Sequence, residues 1–230
     1  ALIRDPAYRA IVEMYAGDQE AFDRSFAAAW YKLTSRDMGP VTRCIGPDVP
    51  PPQPFQAALP DPPRNPQVNY THVNELVRGF IASGLEDGEN YAALFVRLAW
   101  RCASTFRMSD YTGGCNGARL RLSPERDWPA NRGLDDPLRL LGFIKNQYED
   151  ISFADLIVIA GNIAIEESGG LPMTFCPGRT DATDGSGSKF LEPTVMGTVN
   201  DTIPEVNDYV KLLGLTPREY VALSGGGHSL

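Results

Sequence analysis

The sequence predicts an all-α protein. Apolar residues recur at helical spacing through most of the chain, helix starts are marked by capping residues, and no run alternates polar and apolar with period two. With 230 residues, 43% of them apolar and 10% aromatic, the chain can bury a full core. A net charge of −8 and a pI near 4.8 argue against a nucleic-acid binder, which needs a basic footprint. No apolar run reaches the roughly 18 residues of a membrane span. No signal-peptide apolar stretch opens the chain. The start, ALIRDPAYRA, reads as a trimmed end, which keeps open a targeting segment removed on delivery to an organelle.

Three segments follow from the pattern. Residues 1–39 are helical: Tyr8, Ile11, Val12 and Tyr15 share one face, and Asp18 caps a second helix that carries Phe22, Phe26, Trp30 and Leu33 along one side. These aromatics read as core. Residues 40–68 hold ten of the nineteen prolines, including Pro50–Pro52, and read as a linker or strap, because proline removes the donors that helices and interior strands need. The body begins at residue 69. A helix is predicted near Val73–Ser83, ending at Gly84, and a second runs through LFVRLAWRCASTFR from Leu94 to Arg107. The Gly-rich TGGCNGARLR turns into an extended piece, and Pro137–Tyr148 is helical. Ser152 with Asp155 three residues on opens the LIVIAGNIAI helix, and Pro204–Leu213 is helical. Thr216, Pro217 and Glu219 start a last helix that ends in Gly225–Gly227 and is followed at once by His228.

Arg97, Trp100 and Arg101 sit at i, i+3 and i+4, so one helix face carries two guanidinium groups and an indole. Such a face is solvated, or it meets an anion, an aromatic ring or a carboxylate. Two arginines in one cavity repel unless an acid lies between them, and Asp155 and Glu166 are candidates for that role. Only two histidines exist, His72 and His228, which limits imidazole chemistry to two positions. The four cysteines lack CxxC spacing and read as buried thiols rather than a zinc site, with a Cys102–Cys115 pair across the Gly-rich turn as the alternative.

RLAW at Arg97–Trp100, NRGLD at Asn131–Asp135, SFADLIVIAG, FCPGR at Phe175–Arg179 and LSGGGHSL occur in the order seen in plant-type class I haem peroxidases. The resemblance is nearest to catalase-peroxidases. Residues 69–230 resemble the C-terminal domain of those two-domain proteins, and residues 1–39 resemble the end of the domain before it. It implies a haem-peroxidase-like helical fold lacking part of its proximal half, since the pattern stops just after His228, and a chain that is a piece of a longer tandem protein. It implies His228 as the iron ligand of a haem b, Arg97 as the distal cation, Trp100 as the distal aromatic, and Asn131 as the amide that orients the distal base. Arg101 occupies the position of that base. Arginine stays protonated and cannot accept the peroxide proton. The resemblance therefore implies a degenerate protein with little or no peroxide turnover, retained for binding or assembly with partner proteins or neighbouring copies. The alternative is a haem-dependent peroxidase with altered distal chemistry. Catalase activity is disfavoured, because Tyr111 is poorly placed for the tyrosine of the family's Trp–Tyr–Met adduct.

Overall fold

The computed structural model describes residues 2–35, 38, 41, 44–56, 60, 61, 63, 66–192 and 203–227. The chain divides into two compact units, residues 1–56 and 57–230.

The first unit is built on α1 (Pro6–Gly17) and α2 (Gln19–Ser35). The Asp5 carboxylate accepts from the backbone N–H groups of Ala7 and Tyr8, and Pro6 sits where no N–H is needed. Asp18 repeats the device for α2, accepting from Ala21 N at 2.9 Å. A short 3₁₀ turn, Pro54–Gln56, lies against α2: Gln56 Nε2 donates to the Tyr31 hydroxyl at 3.4 Å and Phe55 packs edge-on against the Tyr31 ring. The aromatic face expected to be core is not. Phe22, Phe26, Trp30 and Leu33 are 42%, 57%, 57% and 71% exposed. Helical spacing identifies a face that needs cover; nothing among the described residues of this unit supplies it.

The second unit contains α3 (Tyr70–Asp87), α4 (Tyr91–Ala103), α5 (Asp135–Gln147), α6 (Phe153–Glu167), α7 (Ile203–Leu213) and α8 (Pro217–Gly227). Among the described residues there is no strand, only two isolated bridge pairs, so the all-α expectation is met. The core lies where α4 crosses α6, closed by α3 and α5. Val73, Val77, Phe95, Leu98, Leu141, Ile144, Leu156 and Ile157 are almost wholly buried there. Gly161 in mid-helix is explained by that crossing, since a Cβ on it would lie 2.5 Å from the Ala99 Cβ. The helix expected to stop at Gly84 runs on to Asp87, because this glycine faces a neighbour: a Cβ there would meet the Tyr91 ring at 2.4 Å. The helix expected to reach Arg107 stops at Ala103. Beyond it, Thr105 Oγ1 donates to the Cys102 carbonyl at 3.1 Å and accepts from Gly114 N at 2.9 Å, so side-chain bonds replace the helical ladder.

Cys102 and Cys115 are joined in a disulfide that ties the end of α4 to the Gly-rich loop, so the expectation of free buried thiols fails for this pair. Of the other two, Cys44 is half-buried and Cys176 exposed.

Candidate functional site

α4 places Arg97, Trp100 and Arg101 opposite a loop made of two 3₁₀ turns, Glu125–Asp127 and Pro129–Asn131. Both arginines speak to that loop. Arg97 is exposed, and its Nη2 donates to the carbonyls of Ala130 at 3.1 Å and Arg132 at 2.8 Å. Arg101 is half-buried, and its Nε donates to Asn131 Oδ1 at 2.9 Å. Asn131 is buried and passes the chain on, its Nδ2 donating to the Glu125 carbonyl at 2.7 Å. Two cations share this face because three consecutive loop residues offer them neutral oxygens. Trp100 between them is half-buried.

The acid near Arg101 is Glu125 rather than Asp155 or Glu166. Asp155 is committed to Gly178 N at 2.8 Å and to Arg179, and Glu166 to Arg78 at 3.0 Å. Glu125 is 3% exposed, and its Oε2 accepts from Ser188 Oγ at 2.5 Å. Burial pushes its carboxyl up to about 7, against the Ser188 hydrogen bond and the charges of Arg119 and Arg101. Burial also holds the Arg101 guanidinium below its usual range; Tyr209, Glu125 and Glu192 pull it back up, while Arg97 adds to the lowering. Arg119, whose charge also acts on Glu125, is lowered by burial too and lies against Gly187, where a Cβ would come within 2.6 Å of its Nε. From α7, the Tyr209 hydroxyl donates to the Ser104 carbonyl at 3.5 Å, and burial raises its pKa.

Among the described residues, four buried side-chain polar atoms lack a partner: Arg101 Nη2, Ser104 Oγ, Arg107 Nε and Arg119 Nε. The first two belong to one turn of α4 and its cap. Arg101 Nη2 is a donor. A guanidinium presents donors only, so this face suits an anion or a carbonyl oxygen and offers no proton acceptor at Arg101. The expected iron ligand, His228, lies outside the described residues. His72, the other imidazole, is on α3 with its Nδ1 2.6 Å from the Tyr148 hydroxyl. No cluster of three metal-binding side chains occurs among the described residues, and no helix among them is long and apolar enough to cross a membrane.

The structure thus brings Arg97, Arg101 and Asn131 together, with Trp100 on the same face. It adds Glu125, Arg119, Ser188 and Tyr209, which sequence reasoning missed. Glu125 sits unremarked in SPERDW, and no spacing rule links it to Ser188, 63 residues on.

The arrangement has relatives. The chain is 37% identical to the catalase-peroxidase of Natronomonas pharaonis, with 100% of this chain and 35% of that protein covered. It is 38% identical to the catalase-peroxidase of Salinibacter ruber over the same shares, and 39% identical to that of Synechocystis sp., covering 98% of this chain and 32% of the relative. The chain therefore spans about a third of the length of the curated relatives it matches. The sequence profile of the family described as Peroxidase matches residues 77–230, from the middle of α3 through the whole of the α4 face and beyond α8. With the helical fold, the α4–loop contact and these matches in one frame, the chain belongs to the peroxidase family, in the class I haem peroxidase superfamily and close to the catalase-peroxidases.

Proposed function

We propose that this chain is a degenerate peroxidase-fold protein with little or no peroxide turnover, retained for binding or assembly with partner proteins or neighbouring copies. One observation carries the reading: Arg101 Nε donates to Asn131 Oδ1 at 2.9 Å. In the resemblance, Asn131 matches the amide that orients the distal base. Here the amide receives a proton donor, and a guanidinium that is always charged has nothing with which to accept a proton. Glu125 has a suitable pKa but not a suitable place. It is 3% exposed, and one carboxylate oxygen is closed by Ser188. Loss of a general base costs on the order of 10²–10⁴ in rate.

Haem, when bound, supplies the iron at which the family's chemistry occurs, and membership of the family makes its binding reasonable. In this reading Arg97, Arg101 and Asn131 hold α4 to the loop and move no proton. The alternative, a haem-dependent peroxidase with altered distal chemistry, is favoured only by Arg101 Nη2, a buried donor without a partner that would suit an anionic ligand.

The test is peroxide turnover by the full chain, purified and then incubated with haem, beside the Arg101→His variant. Wild type is expected to stay at the level of free haem. Arg101→His is expected to gain at least about a hundredfold if the rest of the site is intact. A wild type that develops a Soret band and turns peroxide over at the variant's rate would overturn the proposal.

A further inference from the structure

The core takes Leu140, Leu141 and Ile144 of α5, and the next stripe around that helix lines a groove instead. Asp135, Leu138, Arg139, Gly142, Phe143 and Asn146 follow at three- and four-residue spacing and make one side of an open groove of about 610 Å³. Arg121, Arg126 and Phe153 make the other. Gly142 lies in mid-helix, where glycine is unfavourable, and a Cβ on it would meet nothing within 4 Å. No neighbour requires this glycine, in contrast to Gly161. Its missing side chain keeps the floor of the groove low. Phe143 stands beside it 57% exposed, and Leu138 and Phe153 are half-buried, so the floor is apolar.

The charge of the groove is opposite to that of the chain. Three arginines and one aspartate line it, on a protein of net charge −8. Each arginine is loosely answered. Arg126 pairs with Asp135 at 2.8 Å and Arg139 with Asp136 at 3.3 Å, but all four side chains are more than half exposed, and such pairs yield readily to a ligand. Arg121 is preset. Its Nε donates to the Ala118 carbonyl and its Nη2 to the Ala182 carbonyl, and its guanidinium lies 4.9 Å over the Phe153 ring. Its acid, Asp181, is 3.9 Å away and already accepts from Phe153 N at 2.9 Å and Ala154 N at 3.0 Å. The arginines are thus anchored on three different acids, which makes three separate cationic points around an apolar floor. One carboxylate has two oxygens and cannot meet three separate guanidinium groups. A chain that carries several carboxylates can.

We propose that this groove binds an acidic peptide segment of a partner protein, extended along α5, with an apolar side chain over Gly142 and carboxylates toward Arg121, Arg126 and Arg139. The length fits: from Asp135 to Asn146 the helix rises about 16 Å, which about five extended residues span. In an extended chain, alternate side chains point the same way. An apolar residue therefore faces the floor while the long arginines reach up to the acids on either side of it. A nucleic-acid strand fits worse, because the acidic chain around the groove repels a phosphate backbone along its whole length. The inference gives a surface and a partner chemistry to the binding part of the function proposed above, and rests on that reading only there.

The experiment is fluorescence anisotropy of the full chain with a labelled, end-blocked peptide of alternating glutamate and phenylalanine, about seven residues long. Saturable binding that weakens as salt rises is expected. Arg139→Glu is expected to weaken it at least about fivefold. Gly142→Leu fills the floor without meeting a neighbour at Cβ, and is expected to abolish binding. Arg218→Glu, on the exposed start of α8, makes the same change in net charge as Arg139→Glu and is expected to leave the affinity as it is. Circular dichroism of each variant checks that helix content is kept. Lysine in place of the peptide's glutamates is expected to end binding. No binding by the acidic peptide, equal binding by the lysine peptide, indifference to both Arg139→Glu and Gly142→Leu, or an equal loss in Arg218→Glu would each overturn the proposal. So would displacement of the label by phenylacetate or a single-stranded DNA oligonucleotide at lower concentration than by unlabelled peptide, which would assign the groove to a small acid or a nucleic acid. None of these variants alters Arg97, Arg101 or Asn131. A groove that binds no peptide therefore removes this surface alone, and an active wild type removes the degenerate reading alone.

Discussion

At Arg101 the contact made and the contact left unmade matter equally. Nε is satisfied by Asn131, whereas Nη2 is buried without an acceptor, an expensive arrangement for a charged donor. Glu125 offsets part of that cost from a distance, and it bears a cost of its own. Its carboxyl is pushed up to about 7 by burial, whereas in the unfolded chain it titrates near 4.5. Below pH 4.5 both states hold the proton and the group contributes nothing to pH dependence. Between 4.5 and 7 the unfolded chain releases its proton and the folded chain keeps it, so stability falls as pH rises. Above 7 the folded state carries the full penalty, at most about 3 kcal/mol for a shift of this size. Glu125→Gln is therefore expected to unfold at higher denaturant than wild type at pH 8 and at nearly the same denaturant at pH 4.5. Urea melts at the two pH values test this; a variant equally destabilised at both would show that the carboxylate is needed for packing rather than penalised for its charge.

Individual elements separate what the sequence announces from what it leaves silent. The last helix is legible because its start is written locally: Thr216 N donates to Glu219 Oε2 at 2.7 Å, and Glu219 N donates to Thr216 Oγ1 at 3.3 Å, the reciprocal bonds the spacing predicts. α6 is legible by its Ser152 cap, but Asp155 does not complete the box; it turns instead to the 178–179 loop. That choice depends on a segment 23 residues away, beyond the reach of local pattern. The Cys102–Cys115 bond is likewise a matter of where the loop folds, and the two 3₁₀ turns that receive the arginines have no periodic signature. The crossing of α4 and α6 yields a prediction at this scale. Gly161→Val adds bulk where even a Cβ falls 2.5 Å from Ala99, so it is expected to cost about 1–3 kcal/mol or more and to push the helices apart. Paired Cys102→Ser and Cys115→Ser changes open a loop with a sequence separation of 13 and are expected to cost about 3 kcal/mol in the same urea melts. Arg101 follows Ala99 by two residues on α4, so the glycine variant also moves the face the loop holds.

For the whole molecule, burial is unevenly shared between the two units. Every residue of the hydrophobic core, from Val73 to Ala164, belongs to residues 57–230, whereas the buried residues described in 1–56 are two polar ones, Ser35 and Gln56. Helices as short as α1 and α2, with 12 and 17 residues, are marginal in water unless a face is covered. Their periodicity made them easy to find in the sequence. It also made them look like core, because pattern reports the need for cover and not its source. The two units should accordingly differ in amide exchange. α4 and α6, crossing in the core, are expected to be the slowest segments at any protein concentration. α1 and α2, whose apolar stripe lies largely in water, are expected to exchange quickly. Hydrogen–deuterium exchange read by peptide mass measures this directly. Exchange in α1 and α2 as slow as in α4 and α6 would mean that their apolar face is covered in solution, and that the periodic pattern had reported core after all.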